Sequence, residues 1–278
     1  MATPGGSDTT GSQASVTSSA APRRLIDSHC HIDAPEFDLD RDAVLARARD
    51  AGVVQQVIPA THRAGWSKLG DICAAHPGLH ATYGLHPMFL ADHEPEDLDR
   101  LSDTIRDGHA VAIGECGLDY FVDGLDPVRQ AFYFEGQLRL ARAHDLPVIV
   151  HARRAVDAVI ATLRRFGGIR GVVHSFSGSS EQAQRLWQLG IHVGIGGPVT
   201  YERARRLHRV VADLPAEQLL IETDAPDQPG SAHRGQRNEP AHLLHVCDAV
   251  AGLRGEDVDA LAEQTARNAA RLFGLSTP

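Results

Sequence analysis

No apolar run in this chain approaches the ~20 residues that cross a bilayer, so a helical membrane span is not expected. Positive charge is also scarce. Twenty-seven Lys and Arg stand against 36 Asp and Glu, a formal net charge of −9. That balance argues against non-specific binding to nucleic acid or to an anionic membrane. It leaves an acidic substrate open, because bound divalent metals invert the local charge. The four cysteines, Cys30, Cys73, Cys116 and Cys247, are far apart and form no CxxC pair. Neither a disulfide framework nor a zinc knuckle is expected, and reduced thiols in a cytoplasmic protein fit this usage. Aromatics make up only 5%, too few for an extended stacking platform. Residues 1–23 contain almost no large apolar side chains and lack the charged start and apolar stretch of a signal peptide. They read as a disordered leader.

What is present is an alternation. Hydrophobic residues are 42% of 278, enough for a substantial core. Short apolar runs at Leu25–Ile26, Val53–Ile58, His80–Gly84, Ala110–Gly114, Pro147–Val150, Gly171–Val173, His192–Ile195 and Leu219–Ile221 predict strands. Helices are expected at Arg41–Ala51, Asp126–His144, Ala155–Phe166, Glu181–Leu189 and Glu202–Ala212. Ser179-Ser180-Glu181 is a good helix start. Val148-Ile149-Val150 is apolar without alternation, as in a parallel strand buried on both faces. Eight strands alternating with helices predict a single-domain (β/α)8 TIM-type barrel over residues 24–275. Extra C-terminal helices near Glu239–Gly252 and Asp257–Phe273 would close it. An open doubly wound sheet is the alternative, but the Gly-rich dinucleotide turn is missing after the first strand.

His29-Cys30-His31 follows the first strand directly. Two histidines at i and i+2 on a strand share a face and can reach one cation. The pattern recurs: an apolar run ends and Glu115, His151, His174 or Asp224 follows. In a barrel these all fall on the C-terminal rim, where active sites form. Four imidazoles and two carboxylates exceed one tetrahedral zinc site. They fit two divalent metals ~3.5–4 Å apart sharing a carboxylate, with Glu115 as the bridge. His29, His31 and Asp224 would hold one metal, and His151 and His174 the other. Mixed imidazole and carboxylate ligands suit Zn, Mn, Fe or Co, and Mg at the carboxylate-rich side. Asp224 is also a candidate proton acceptor. Glu222, at i−2, is expected to support it from behind.

Six segments carry a family resemblance: Asp27-Ser28-His29-Cys30-His31-Ile32-Asp33, Gly114-Glu115-Cys116-Gly117-Leu118-Asp119-Tyr120, Pro147-Val148-Ile149-Val150-His151-Ala152-Arg153, His174-Ser175-Phe176-Ser177-Gly178, Glu222-Thr223-Asp224-Ala225-Pro226 and Arg237-Asn238-Glu239-Pro240. In order, from about Leu25 to Phe273, they resemble the TatD-type deoxyribonucleases, within the amidohydrolase-like metal-dependent hydrolases. The resemblance implies a TIM-type barrel, divalent metal and hydrolysis of DNA phosphodiesters, often as a 3′-to-5′ exonuclease. It implies metal ligands at His29, His31, Glu115, His151, His174 and Asp224. Glu115 stands where many amidohydrolase-type barrels bridge two metals with a modified lysine. The family's tyrosine after Gly-Leu-Asp is Tyr120. After Asp224, Asp227-Gln228-Pro229 replaces the aromatic of many relatives, and that loop is a candidate for base or sugar contact.

Arg153 and Arg237 are candidate phosphate contacts, since the guanidinium fork suits phosphate oxygens. A salt bridge or capping role is the alternative for both. His86 and Tyr120 complete the candidate substrate contacts, and Phe121 and Phe176 are further stacking candidates. The expectation is a cytoplasmic two-metal phosphodiesterase with Mg, Mn or Zn, in which a metal-bound hydroxide attacks phosphorus. Its partner would be DNA ends, single-stranded, with neither a membrane nor an obligate protein partner indicated. Two rivals stand beside it: a hydrolase of small esters, lactones or amides using the same metals, and a non-catalytic metal-binding scaffold.

Overall fold

The computed structural model describes Met1, residues 23–107 and residues 109–278. The leader reading falls on residues outside these, apart from Met1 and Arg23. Arg23 is tied down, 2.9 Å from Asp248 and 2.6 Å from Asp259.

Eight strands alternate with helices: β1 (Leu25–Asp27), α1 (Arg41–Asp50), β2 (Val53–Pro59), α2 (Trp66–Ala75), β3 (Leu79–Thr82), α3 (Asp97–Arg106), β4 (Ile113–Asp119), α4 (Pro127–His144), β5 (Val148–Arg153), α5 (Val156–Phe166), β6 (Gly171–Val173), α6 (Ser180–Trp187), β7 (Ile191–Ile195), α7 (Arg205–Asp213), β8 (Leu219–Ile221), α8 (Leu243–Arg254) and α9 (Val258–Phe273). Two parallel sheets form, β1-β2-β3 and β4-β5-β6-β7-β8. Backbone bonds join them at both seams. Tyr83 bridges to Ile113, and Gly114 N–H donates to Tyr83 O at 2.9 Å. Across the other seam, Ser28 N–H donates to Ile221 O at 3.1 Å, and Asp224 N–H to His29 O at 2.9 Å. The strands therefore follow one another in barrel order, each with its helix, as the sequence predicts.

Core packing follows the strand period. On β5, Val148 and Val150 belong to the outer core against the helices. Ile149 belongs to a separate inner cluster with Ile26, Val57, Val172 and Leu220. Both faces are buried, which is why this strand reads as an unbroken apolar run. Ala266, Ala269, Ala270, Leu272 and Phe273 of α9 join that inner cluster, so α9 packs onto the strand residues that fill the barrel. Of the two C-terminal helices expected as additions, α8 is the eighth helix of the repeat and only α9 is extra.

Three boundaries correct the sequence reading. Strand β4 does not end at Gly114; it starts at Ile113 and runs through Glu115 to Asp119. Its register slips between Ile113 and Cys116. Likewise β5 runs through His151 to Arg153. Polar and glycine residues ended the apolar runs, but ladder bonds come from the backbone and continue beneath them. Helices α2 and α3 fell in stretches assigned to no element. Helix α6 begins as its sequence indicates, with a reciprocal capping box between Ser179 and Gln182. No helix among the described residues is long and apolar enough to cross a membrane.

Candidate metal centre

The six candidate ligands meet at the C-terminal ends of the strands. His29 and His31 lie just past β1, yet their Nε2 atoms stand 3.2 Å apart. The chain bends at Ser28 and His29, and the segment is held by Cys30 N–H donating to Val57 O and His31 N–H to Ala225 O. His174 Nε2 and His151 Nδ1 are 3.4 Å apart. Two imidazole nitrogens on one tetrahedral zinc, each ~2.05 Å from the metal, would stand about 3.3 Å apart. Both pairs match that edge. Ligand atoms of His29, His31 and Asp224 lie within 4.8 Å of one another, as do those of His29, Glu115 and His174.

Glu115 joins the two pairs. Its Oε1 is 2.7 Å from His174 Nε2, 2.9 Å from His86 Nε2 and 3.0 Å from His151 Nδ1. Its Oε2 is 3.4 Å from His29 Nε2 and 3.6 Å from His31 Nε2. Asp224 Oδ1 stands at the same 3.4 and 3.6 Å from those two nitrogens.

The far ring nitrogens fix the tautomers. His31 Nδ1–H donates to Pro59 O at 3.1 Å, which leaves the Nε2 lone pair free for a cation. His151 Nε2–H donates to Asp119 Oδ2 at 2.9 Å, which turns Nδ1 to Glu115 Oε1 at 3.0 Å. A carboxylate behind an imidazole in this way is what orients histidines that bind metal. His86 is different. Its Nδ1 accepts the Met88 N–H at 3.1 Å, so its proton sits on Nε2 and is donated to Glu115. His86 therefore orients the Glu115 carboxylate and keeps no Nε2 lone pair for a cation.

Electrostatics favour a cation here. Burial opposes charge on Glu115, but His174, His86 and His29 outweigh it and hold the carboxyl well below its usual range. Burial also opposes charge on His174, yet Glu115, Asp224 and Glu222 push it up to about 10. His29 is driven the other way by burial and by His174, so its ring is neutral, as a candidate ligand must be. Without metal a proton on His174 balances Glu115, and a cation bound there displaces it. The sign follows: below about pH 10 binding releases a proton, so affinity rises with pH. Calorimetric titration with Zn or Mn near pH ~7.5, in buffers of different ionisation enthalpy, should report net proton release on binding. Heats that do not vary with buffer would contradict the charge state of His174.

A family model described as TatD related DNase matches residues 26–274. The chain belongs to the TatD-related DNase family. It is 41% identical, over 91% of its length and 98% of the relative's, to the uncharacterized metal-dependent hydrolase YjjV of Escherichia coli K12. The crystal structure of that TatD homologue superposes with a TM-score of 0.87 at 40% identity, covering 91% of this chain and 99% of that one. A relative from Erwinia tasmaniensis named 3′-5′ ssDNA/RNA exonuclease TatD is 35% identical over 90% of this chain and all of its own. The chain is accordingly a TatD-family metal-dependent hydrolase.

In this TatD-family chain the candidate ligands are held by residues that the sequence reading used differently or passed over. Asp119 was passed over. Burial opposes its charge, but His151 and the N–H groups of Val122 and Phe121 hold its carboxyl at about 2. It lies at i+4 from Glu115 on β4, hence on the same face; that signal disappears if the strand is ended at Gly114. Replacing Asp119 by Asn should weaken the cation at His151 by ~10–100-fold, measurable by metal titration. Gln228, in the loop expected to meet a base or sugar, instead donates to Asp224 Oδ2 and exchanges bonds with the Ser175 hydroxyl. Glu222 is fully buried, and burial, despite His174, pushes its carboxyl up to about 8. It accepts the Ser175 N–H and stands 3.7 Å from His174 Nδ1, so it supports His174 more directly than Asp224. Gly194 makes room for it, since a Cβ there would sit 2.0 Å from Glu222 Oε2.

The backbone is bent to this purpose. Non-glycine residues with positive φ include Asp224 (56°), Ser175 (46°) next to His174, and Gln228 (50°), whose side chain bonds Asp224. Such conformations cost ~1–3 kcal/mol each and persist where surrounding structure enforces them.

The cavity over the ligands is lined by His31, His86, Glu115, His151, Arg153, His174 and Asp224 among others. Arg153 is exposed on its wall with its guanidinium 3.7 Å over the Phe121 ring. Phe176 lines it too but is buried. Tyr120 is 45% exposed and does not line the cavity. Arg237 is not brought there either. Its fork pairs with Asp40 at 2.7 and 2.9 Å and with Glu239 at 3.0 Å. Those partners take up the donors that a phosphate would need.

Proposed function

We propose that this chain is a two-metal phosphodiesterase that shortens single-stranded nucleic acid, DNA foremost, from the 3′ end. The observation that carries the reading is the division of Glu115, with Oε1 turned to His174 and His151 and Oε2 turned to His29 and His31. A carboxylate with each oxygen serving one imidazole pair is the donor set for two cations sharing a bridge. His29, His31 and Asp224 would hold one and His151 and His174 the other. Divalent cations there would supply positive charge to the phosphate oxygens and lower the pKa of a water. Mn, Zn or Mg fit the donor set.

The remaining steps belong to the protein. Asp224 accepts the proton of the attacking water. Gln228 fixes that carboxylate at Oδ2, leaving Oδ1 toward the histidines. Water oxygen bonds to phosphorus, the bond to the 3′-oxygen breaks, and that oxygen leaves with a proton as a new 3′-hydroxyl. Arg153, on the cavity wall, meets phosphate oxygens of the incoming strand. The name of the Erwinia tasmaniensis relative supports the substrate class.

The test is metal-titrated digestion of oligonucleotides labelled at either end, beside a panel of lactones and esters. The reading expects a descending ladder from the 5′ label and immediate release of a labelled mononucleotide from the 3′ label. Turnover confined to lactones or esters would overturn it.

A further inference from the structure

The cavity has a volume of about 1100 Å³, more than the ligand cluster needs. One of its walls comes from the segments after β1, β2 and β3 and carries Asp33, His62, Met88 and Phe89. Two features set it apart. Met88 and Phe89 are large apolar side chains left 42% and 37% exposed, in a protein that buries most such groups. The Phe89 ring lies 5.4 Å from His62 and 5.7 Å from His86, so this aromatic shelf stands one imidazole away from Glu115. The second feature is Asp33, two residues past His31. Its Oδ1 is buried with no hydrogen-bond partner. Cations are at hand but engaged elsewhere: Lys68 Nζ bonds Asp38 at 2.8 Å, and Arg41 bonds Asp38 and the Ile32 carbonyl. A buried acceptor without a donor is unfavourable, so the Asp33 carboxylate is short of donors on the side away from the cavity that it enters.

We propose that this wall seats the terminal nucleoside of the strand: Phe89 and His62 stack its base, and the Asp33 carboxylate accepts a hydrogen bond from its free 3′-hydroxyl. The inference rests on the nucleic-acid reading above and names the groups that would recognise the 3′ end. Oδ2, which is not among the buried unpartnered atoms, is the oxygen presented to the sugar. The terminal phosphate lies over Glu115, and the rest of the strand leaves along the Arg153 wall. A 3′-phosphate end would set acceptor oxygens against an acceptor. A site built around a substrate hydroxyl rejects analogues that cannot donate to it.

The test compares 5′-labelled oligonucleotides ending in 3′-hydroxyl or 3′-phosphate, using metal-loaded wild type and Asp33→Asn. Wild type should prefer the hydroxyl end by ~10²-fold. Asp33→Asn, whose amide can both accept and donate, should bring the two ends within about threefold, chiefly through KM. Phe89→Ala changes an exposed position and keeps the fold. It should raise KM about tenfold for an end bearing a base and leave an abasic end unchanged. Independently of turnover, Phe89→Ala should weaken binding of a deoxynucleoside 5′-monophosphate by a similar factor. An active enzyme without preference between the two ends, or with the same preference after Asp33→Asn, overturns the seat. A protein inactive on every oligonucleotide that still binds the monophosphate through Phe89 keeps the seat and refutes the reaction.

Discussion

Replacing Glu115 by Ala lowers hydrolysis by on the order of 10³-fold or more, the equivalent of ~4 kcal/mol of transition-state stabilisation. The size follows from position. Glu115 touches His174, His86 and His151 through Oε1 and His29 and His31 through Oε2, so its loss disturbs both candidate cations together. Removing a ligand from only one side, as in His31→Ala, should cost less and be partly restored by excess metal. Glu115→Gln keeps the volume and the His86 hydrogen bond but removes the charge. Both variants should lose activity while remaining folded, checked by steady-state kinetics at saturating metal beside a thermal melt. An active Glu115→Ala enzyme with near-normal metal dependence would refute the shared site.

Asp224→Asn should lower kcat by ~10²–10⁴-fold, the range for a positioned general base, with a smaller change in KM. Asn keeps the size of Asp and a hydrogen-bonding group for Gln228, so the left-handed backbone at φ 56° is retained; Asn tolerates that region as Asp does. Burial pushes the Asp224 carboxyl up, against His174 and His31, which lower it. A bound cation opposes that rise, so the expectation for the loaded enzyme is only that Asp224→Asn abolishes the acid limb of the kcat profile. An unchanged limb would assign it to another group.

Much of this was legible in the sequence because two signals coincided. Strands such as Val148-Ile149-Val150 are apolar on both faces, and each gives way to a polar residue where its barrel rim begins. That is why His151, His174 and Asp224 could be located without coordinates. The (β/α)8 order followed from the same alternation. What escaped depends on contacts that periodicity does not encode. Asp119 was hidden because Gly114 and Gly117 interrupt the apolar pattern of β4 while its backbone ladder continues. Helix α2 contains Gly70, and α3 offers only Leu98, Leu101 and Ile105 as an apolar stripe, so both were missed between better-marked neighbours. Arg237 looked like a phosphate contact because its partner Asp40 is nearly two hundred positions away in the chain. Phe89 and His62 lie in connections whose conformation is set by the barrel, and no local pattern brings them together.

The central claim is that one carboxylate joins two cation sites. Equilibrium dialysis with Mn, read by metal analysis and electron paramagnetic resonance, tests it most directly. Wild type should bind two ions per chain with exchange coupling between them, as expected for ions ~3.5–4 Å apart. Glu115→Ala should lose the coupling together with at least one ion. A single ion per chain in wild type, or two uncoupled ions unaffected by Glu115→Ala, would contradict the account.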